Sequence, residues 1–421
     1  MWNRFAFKRK IPESDLCKRQ IDADPIRDEL YSRDHLAQHA RETACSYRVD
    51  TRKGRDRLLP RLADNEKVLL ETHDLMKAAI EANRGIAPAG EWLLDNFYLI
   101  EEQIRTARRH LPENYSKGLP HLDNGPLEGF PRVYHIAREL IAHSDGRIDT
   151  KILSSFIDAY QSVSPLLLGE LWAIPIMFRL SLIENLRRIA DIISANRRDR
   201  DSATHWVDRM TEVARDDPKS LILVIADMAR SDPPMTSAFV GEMARQLQGR
   251  TGALLFPLNW IEQRLSENNL TIEQMIYTET QAQAADQVSI GNCINSLRLL
   301  DKTDWREFVE QVSLVEHTLR MDPADEYAAM DFETRDRYRH VVEEIAKKGG
   351  LSERDVAIKA VDLATQSRGL KDRKPRASHA GYYLIDHGRD TLEKALSFRP
   401  SLPERVRRSG YTHLLLFSPR F

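Results

Sequence analysis

Four polar residues sit where the hydrophobic pattern turns inward: Asp95, Asn96, Glu170 and Asn185. A polar group on an apolar helix stripe must find a partner, because burying it alone costs roughly 2–7 kcal/mol, and a bare charge far more. Two arrangements would satisfy them. They can close into a structural network with Arg179 or Arg187, or they can line a ligand cleft in which Trp92 and Trp172 stack on a sugar. The network is the favoured reading, since tryptophans at helical spacing usually belong to a core.

Other constellations carry less. His35 and His39 are four residues apart with Glu42 one turn on, a spacing that can hold a metal ion. Leu36, however, stands where a zinc protease carries its glutamate. This is read as an exposed helix face, and no metal site is expected. Asp22-Ala-Asp24 and Asp199-Arg-Asp201 have the D-x-D form that holds Mg²⁺ against the diphosphate of a nucleotide sugar. Neither follows an expected strand, and both are read as solvated turns. Glu101/Glu102 and Glu343/Glu344 are adjacent on helices, so their carboxylates point in different directions and make no acid–base pair. The GxGxxG, Walker, GxSxG and HExxH motifs are all absent. No catalytic or cofactor-binding residue is assigned.

The elements that would position these residues are helical. Leu171, Phe178, Leu182, Leu186, Ile189 and Ile193 give Ser164–Ile193 a wide apolar face. Ser164 is expected to cap this helix, Pro165 to open it and Pro175 to kink it. Glu170, Arg179 and Glu184 interrupt the stretch, and a bilayer needs ~20 apolar residues, so it is not a membrane span. Glu91–Leu111 carries Leu93, Phe97, Ile100, Ile104 and Ala107 on one face. Residues 112–131 form an ordered loop anchored by Leu119, Leu122, Leu127 and Phe130. Asp149 caps a helix over 150–160. Residues 197–201 read as a charged break, and Leu221–Ile225 as helix rather than strand. Thr271-x-x-Gln274 is a capping box. Thr303 is expected to cap the helix of Trp305, Phe308 and Val312. The result is an all-α chain, a multi-helix bundle or irregular α-solenoid of about a dozen helices. Three regions are expected: a polar, mobile arm over 1–60, a helical domain over 61–370, and a basic tail over 371–421.

Composition narrows the function classes. The chain has 421 residues, 30% of them charged and 7% aromatic, with a net charge of −2. That balance argues against nucleic acid as a partner. Cys17, Cys45 and Cys293 are far apart and form no CxxC, as in a reducing compartment. The basic N-terminus lacks the apolar core of a secretory signal. A cytoplasmic location is expected.

Several long stretches point further. EWLLDNFYLIEEQIRTARRHLPENYSKGLPHL (91–122), GFPRVYHIARELIAHSDGR (129–147), GELWAIPIMFRLSLIENLRR (169–188), VSIGNCINSLRL (288–299) and HAGYYLIDHGR (379–389) are the most distinctive. Through them the chain resembles the N-terminal cytoplasmic region of bacterial cyclic β-1,2-glucan synthases, over roughly residues 60–400. Members of that family are large inner-membrane enzymes that polymerise glucose from UDP-glucose and close the chain into a ring. The resemblance implies UDP-glucose and a divalent metal for the whole synthase, and neither for this segment. It places the segment on the cytoplasmic face of the inner membrane, with the rest of the synthase as partner. The tail, rich in Lys371, Arg373, Lys374, Arg376, Arg399, Arg405, Arg407 and Arg408, would meet an anionic membrane surface. The chain carries no QxxRW element and no strand-borne D-x-D, so no catalytic residue is carried over. It is expected to be a form truncated or split ahead of the membrane helices and transferase core, non-catalytic alone. The other reading is an independent helical scaffold that binds some other protein.

Overall fold

The apolar stripes become α-helices in the computed structural model, which describes residues 24–248, 252–368 and 375–396. In chain order the helices are α1 (Arg33–Ser46), α2 (Leu58–Glu81), α3 (Pro88–Asp95), α4 (Phe97–His110), α5 (Arg132–Ser144) and α6 (Thr150–Gln161). There follow α7 (Leu168–Asp216), α8 (Leu221–Arg230), α9 (Ser237–Leu247), α10 (Phe256–Ser266), α11 (Ile272–Lys302) and α12 (Trp305–Val312). The last are α13 (Leu314–Leu319), α14 (Phe332–Gly349), α15 (Glu353–Arg368), α16 (Ala380–Ile385) and α17 (Arg389–Ala395). Two short strands, β1 (Val49–Asp50) and β2 (His121–Leu122), pair antiparallel with Val49 opposite Leu122. The all-α class expected from periodicity holds. Among the described residues no helix is long and apolar enough to cross a membrane.

The described residues group into two compact units. The described residues of 24–39, 46–153 and 174–302 supply the first, and those of 40–45, 154–173 and 303–396 the second. In the first unit α11 packs against α3 and α9. Ile100, Ile104, Leu140, Leu182, Leu186 and Ile189 are fully or almost fully buried there. A further core cluster of the same unit joins Val207, Met210, Leu221, Phe239, Met243 and Ile261. In the second unit α15 packs on α13, α14 and α16, around Leu319, Val342, Ile345, Val356, Ala360 and Leu384.

Several expectations need correcting. Helix α7 begins at Leu168, not at Ser164, and runs to Asp216 with Pro175 inside it. It passes through the expected break at 197–201 because Arg197 and Asp201, one turn apart, form an ion pair at 2.5 Å that supports the helix. Asp199-Arg-Asp201 is therefore helical and not a turn. Asp199 accepts from the Thr236 hydroxyl at 2.8 Å. The cap of α12 is Asp304, whose carboxylate accepts from the N–H groups of Arg306 and Glu307, and not Thr303. Residues 24–60 are built into the fold. Ile26, Leu36 and Ala40 are buried, and Ser32 caps α1. Arg57 lies over the Phe130 ring at 5.5 Å, and Arg61, just beyond that stretch, pairs with buried Glu184.

Other expectations hold. Thr271 and Gln274 form the reciprocal capping box, with N–H···O distances of 3.0 and 3.2 Å. Leu221–Ile225 is the start of α8. Gly350, at φ +65°, ends α14 in the left-handed conformation that glycine adopts without strain. The basic residues Lys371, Arg373, Lys374, Arg399, Arg405, Arg407 and Arg408 lie outside the described residues, as does Asp22.

Candidate functional site

The four polar residues singled out from sequence do not converge. Glu170 belongs to the second unit and the other three to the first. Asn185, fully buried on α7, accepts the Ile26 N–H at 2.7 Å, and its amide faces the Cys293 sulfur at 3.4 Å. Burial pushes the Cys293 thiol up to about 12. Asn96, between α3 and α4, accepts from Arg298 at 2.8 Å and donates to the Trp92 carbonyl at 3.0 Å. Asp95 is exposed. Arg179 meets Asp301 and Gln103, each at 2.7 Å, while Arg187 meets Asp191 at 2.7 Å. Trp172 makes an edge contact with Phe332, centroids 6.2 Å apart, as a core residue would.

Glu170 takes part in a helix cap. Its carboxylate accepts the Leu167 N–H at 2.9 Å, and the Glu353 carboxylate accepts the Leu168 N–H at 2.8 Å. Both acids thus satisfy donors at the start of α7, where the helix dipole favours negative charge. Burial, together with the charges of Glu343 and Glu170, still pushes Glu353 up to about 7.

Sequence reasoning missed the strongest ionic centre of each unit. In the first, Glu184 on α7 is fully buried. It receives Arg61 at 2.6 Å, Arg188 at 2.5 Å, Arg138 at 3.3 Å and the Tyr134 hydroxyl at 2.5 Å. Burial alone would raise its carboxyl, but the hydrogen bond and charge of Arg61, with Arg138 and Arg188, hold it well below the usual carboxylate range. In the second, Glu316 is fully buried and receives Arg339 at 2.7 Å, Arg320 at 2.8 Å and the Tyr327 hydroxyl at 2.7 Å. Guanidinium groups occupy the oxygens of both carboxylates, so neither is open to act as a general base. The Glu184/Arg188 spacing of four was visible in the sequence. The convergence of Arg61, Tyr134 and Arg138 from α2 and α5 was not.

A cleft of about 810 Å³ opens in the first unit between the segment following α2 and helices α7, α9 and α11. Four guanidinium groups line it: Arg84, Arg197, Arg200 and Arg245. Each is tied to a carboxylate, Arg84 and Arg197 to Asp201, Arg200 to Glu279 and Arg245 to Glu242. Thr204, Gln246, Thr280 and Gln283 add hydroxyl and amide groups. The wall therefore offers many fixed donors and carries no cysteine, histidine or serine that could serve as nucleophile or base. Its chemistry is that of binding a polar ligand.

A last cluster lies on α5. His135, Glu139 and His143 follow one another at steps of four, a face the sequence showed but on which no reading was based. Glu139 Oε2 meets His39 Nε2 of α1 at 2.8 Å. His39 thus answers to Glu139, a partner that its spacing with His35 and Glu42 did not suggest.

No family model matches the chain. It is similar to the cyclic beta-(1,2)-glucan synthase NdvB of Rhizobium meliloti (strain 1021), with 30% identity over 349 residues. The similar stretch covers 82% of this chain and 12% of that relative, so the chain corresponds to only a small part of the relative's length. The resemblance read from the sequence is thereby shown, at the level of a module related to a glucan synthase.

Proposed function

We propose that this chain is a helical, non-catalytic module of a cyclic β-(1,2)-glucan synthase system, and that it works by binding the rest of the synthase. The observation that carries the proposal is the similarity to the Rhizobium meliloti synthase through 82% of this chain. The chemistry of the buried groups agrees. Glu184 and Glu316 are paired with arginines, and Glu170 caps a helix, so the carboxylates that could have served catalysis have structural duties. The UDP-glucose and divalent ion of the whole synthase are assigned to its other parts.

The test is direct. The purified chain, given UDP-glucose and Mg²⁺, is expected to release no UDP above a heat-denatured control. Turnover that survives repurification would overturn the non-catalytic reading. A second reading, an adaptor for an unrelated protein, is favoured by Ile222 and Leu223 on α8, which are 70% and 62% exposed. It gains ground if the chain recovers another stoichiometric partner and no synthase.

A further inference from the structure

Glu139 is ringed by three imidazoles. His39 Nε2 lies 2.8 Å from its Oε2, His143 Nε2 lies 3.9 Å from the same oxygen, and His135 Nδ1 lies 3.3 Å from Oε1. The reacting atoms of His39, Glu139 and His143 all fall within 4.8 Å of one another.

With neutral imidazoles, the hydrogen bonds of this cluster leave one lone pair unmatched. His143 Nδ1 is 2.8 Å from the Glu29 carbonyl oxygen. A carbonyl only accepts, so Nδ1 carries the proton and a neutral ring leaves Nε2 with a bare lone pair. That lone pair faces the carboxylate oxygen of Glu139, also an acceptor. Two acceptors confront each other across 3.9 Å, about half an ångström more than the ~3.3–3.4 Å between two ligands of a tetrahedral ion at bond lengths of ~2.0–2.1 Å. His135 is the second sign. Its side chain is 3% exposed, and neither ring nitrogen makes a well-directed hydrogen bond, although Nδ1 lies 3.3 Å from Glu139 Oε1. An imidazole left in that state is costly unless the cluster tightens around something.

We propose that His39, Glu139 and His143 bind one divalent transition-metal ion of the zinc class, with His135 as a positioning residue on the far oxygen of Glu139. Two imidazoles and one carboxylate favour Zn²⁺, Co²⁺ or Ni²⁺ over Mg²⁺ or Ca²⁺, which take oxygen ligands. The site is therefore distinct in kind from an ion that bridges a nucleotide diphosphate. Three protein ligands leave a fourth position for water. On binding, a neutral His39 moves its proton from Nε2 to Nδ1, freeing Nε2 for the ion. The surroundings are already oriented for the task. Glu29 fixes the His143 tautomer, Tyr31 stacks on the His143 ring at 4.1 Å, and Tyr47 holds His135 edge-on at 4.3 Å. The His39 and Glu139 side chains are 22% and 26% exposed, so an ion can enter from solvent.

The experiment titrates the full chain, stripped with a chelator, with Co²⁺ and then Zn²⁺. Saturation at one equivalent is expected, with visible cobalt bands and no thiolate-to-cobalt charge transfer. Mg²⁺ in excess should not compete. Glu139→Gln and His143→Gln should each weaken Zn²⁺ by more than about 100-fold, beyond the ~10–100-fold that an outer-shell change costs. His135→Gln should stay within that smaller range. If His143→Gln does not fold, the more exposed His39→Gln, checked by circular dichroism, decides in its place. Equal binding by His39→Gln and wild type would overturn the proposal. So would binding abolished by Cys45→Ser, or no saturable uptake at all.

Discussion

The Tyr134 hydroxyl donates to the Glu184 carboxylate at 2.5 Å, and both side chains are shut off from solvent. The same carboxylate takes Arg61, Arg138 and Arg188, so one anion ties α2, α5 and α7 together. Removing one partner of such a centre leaves uncompensated charge. Glu184→Gln should cost about 3–5 kcal/mol. Tyr134→Phe, which removes one bond to a charged group, should cost about 1.5–3 kcal/mol. Urea unfolding followed by tryptophan fluorescence measures both. Because the folded-state carboxyl of Glu184 is depressed, its contribution is present above the ordinary carboxylate value of 4.5 and is lost as pH falls through the lower folded value.

Glu353 should behave oppositely. Its folded carboxyl is raised from 4.5 to about 7, so its stabilising contribution is complete below 4.5 and is lost as pH rises through about 7. The loss amounts to roughly 3–4 kcal/mol at most, at the conversion of ~1.4 kcal/mol per unit. Glu353→Gln can still accept the Leu168 N–H and carries no charge to bury. The variant should be more stable than wild type at pH 8, and the gap should close towards pH 4.5. Thermal unfolding at a series of pH values would show it; a variant less stable at pH 8 would contradict the assignment.

The cysteines should differ in reactivity. Cys293 is buried beside Asn185 with its thiol pushed up to about 12, whereas Cys45 is exposed. Only the thiolate reacts with alkylating agents. Iodoacetamide at pH 8 should modify Cys45 in the native protein and Cys293 only after unfolding, as read by peptide mass spectrometry.

Gly146 is a turn residue that should tolerate a side chain poorly. It sits at φ +74°, and an added Cβ would lie 2.7 Å from the Cys293 sulfur. Gly146→Ala should therefore destabilise by more than about 1 kcal/mol, combining backbone strain with a clash. Cys293→Ala should relieve part of that loss in the double variant, a coupling that a thermodynamic cycle measures.

Much of the fold was legible because helix periodicity and capping are local. The apolar stripe of α4 and the Thr271/Gln274 box needed only neighbouring residues to be read. What escaped depended on partners distant in sequence. Arg197 and Asp201 looked like a break because five consecutive polar residues carry no apolar stripe, yet their ion pair keeps α7 continuous. Glu184 looked like an interruption of an apolar run, and only the arrival of Arg61 and Arg138 shows it as the centre of the first unit. Asn185 and Glu170 are buried, and each has a backbone N–H among its partners, which no side-chain pattern announces. The His135–Glu139–His143 face was periodic and could have been found. His39, which completes it, lies 100 positions from Glu139.

The proposal that this chain is a binding module of a cyclic β-(1,2)-glucan synthase system is tested most directly by reconstitution. The relative from Rhizobium meliloti, expressed without the stretch that matches this chain and solubilised in detergent, would be mixed with the purified chain and passed over an affinity resin that holds the synthase. Retention of the chain at one copy per synthase is expected. A chain that passes through unretained, while the deleted stretch of the relative itself is held, would contradict the account.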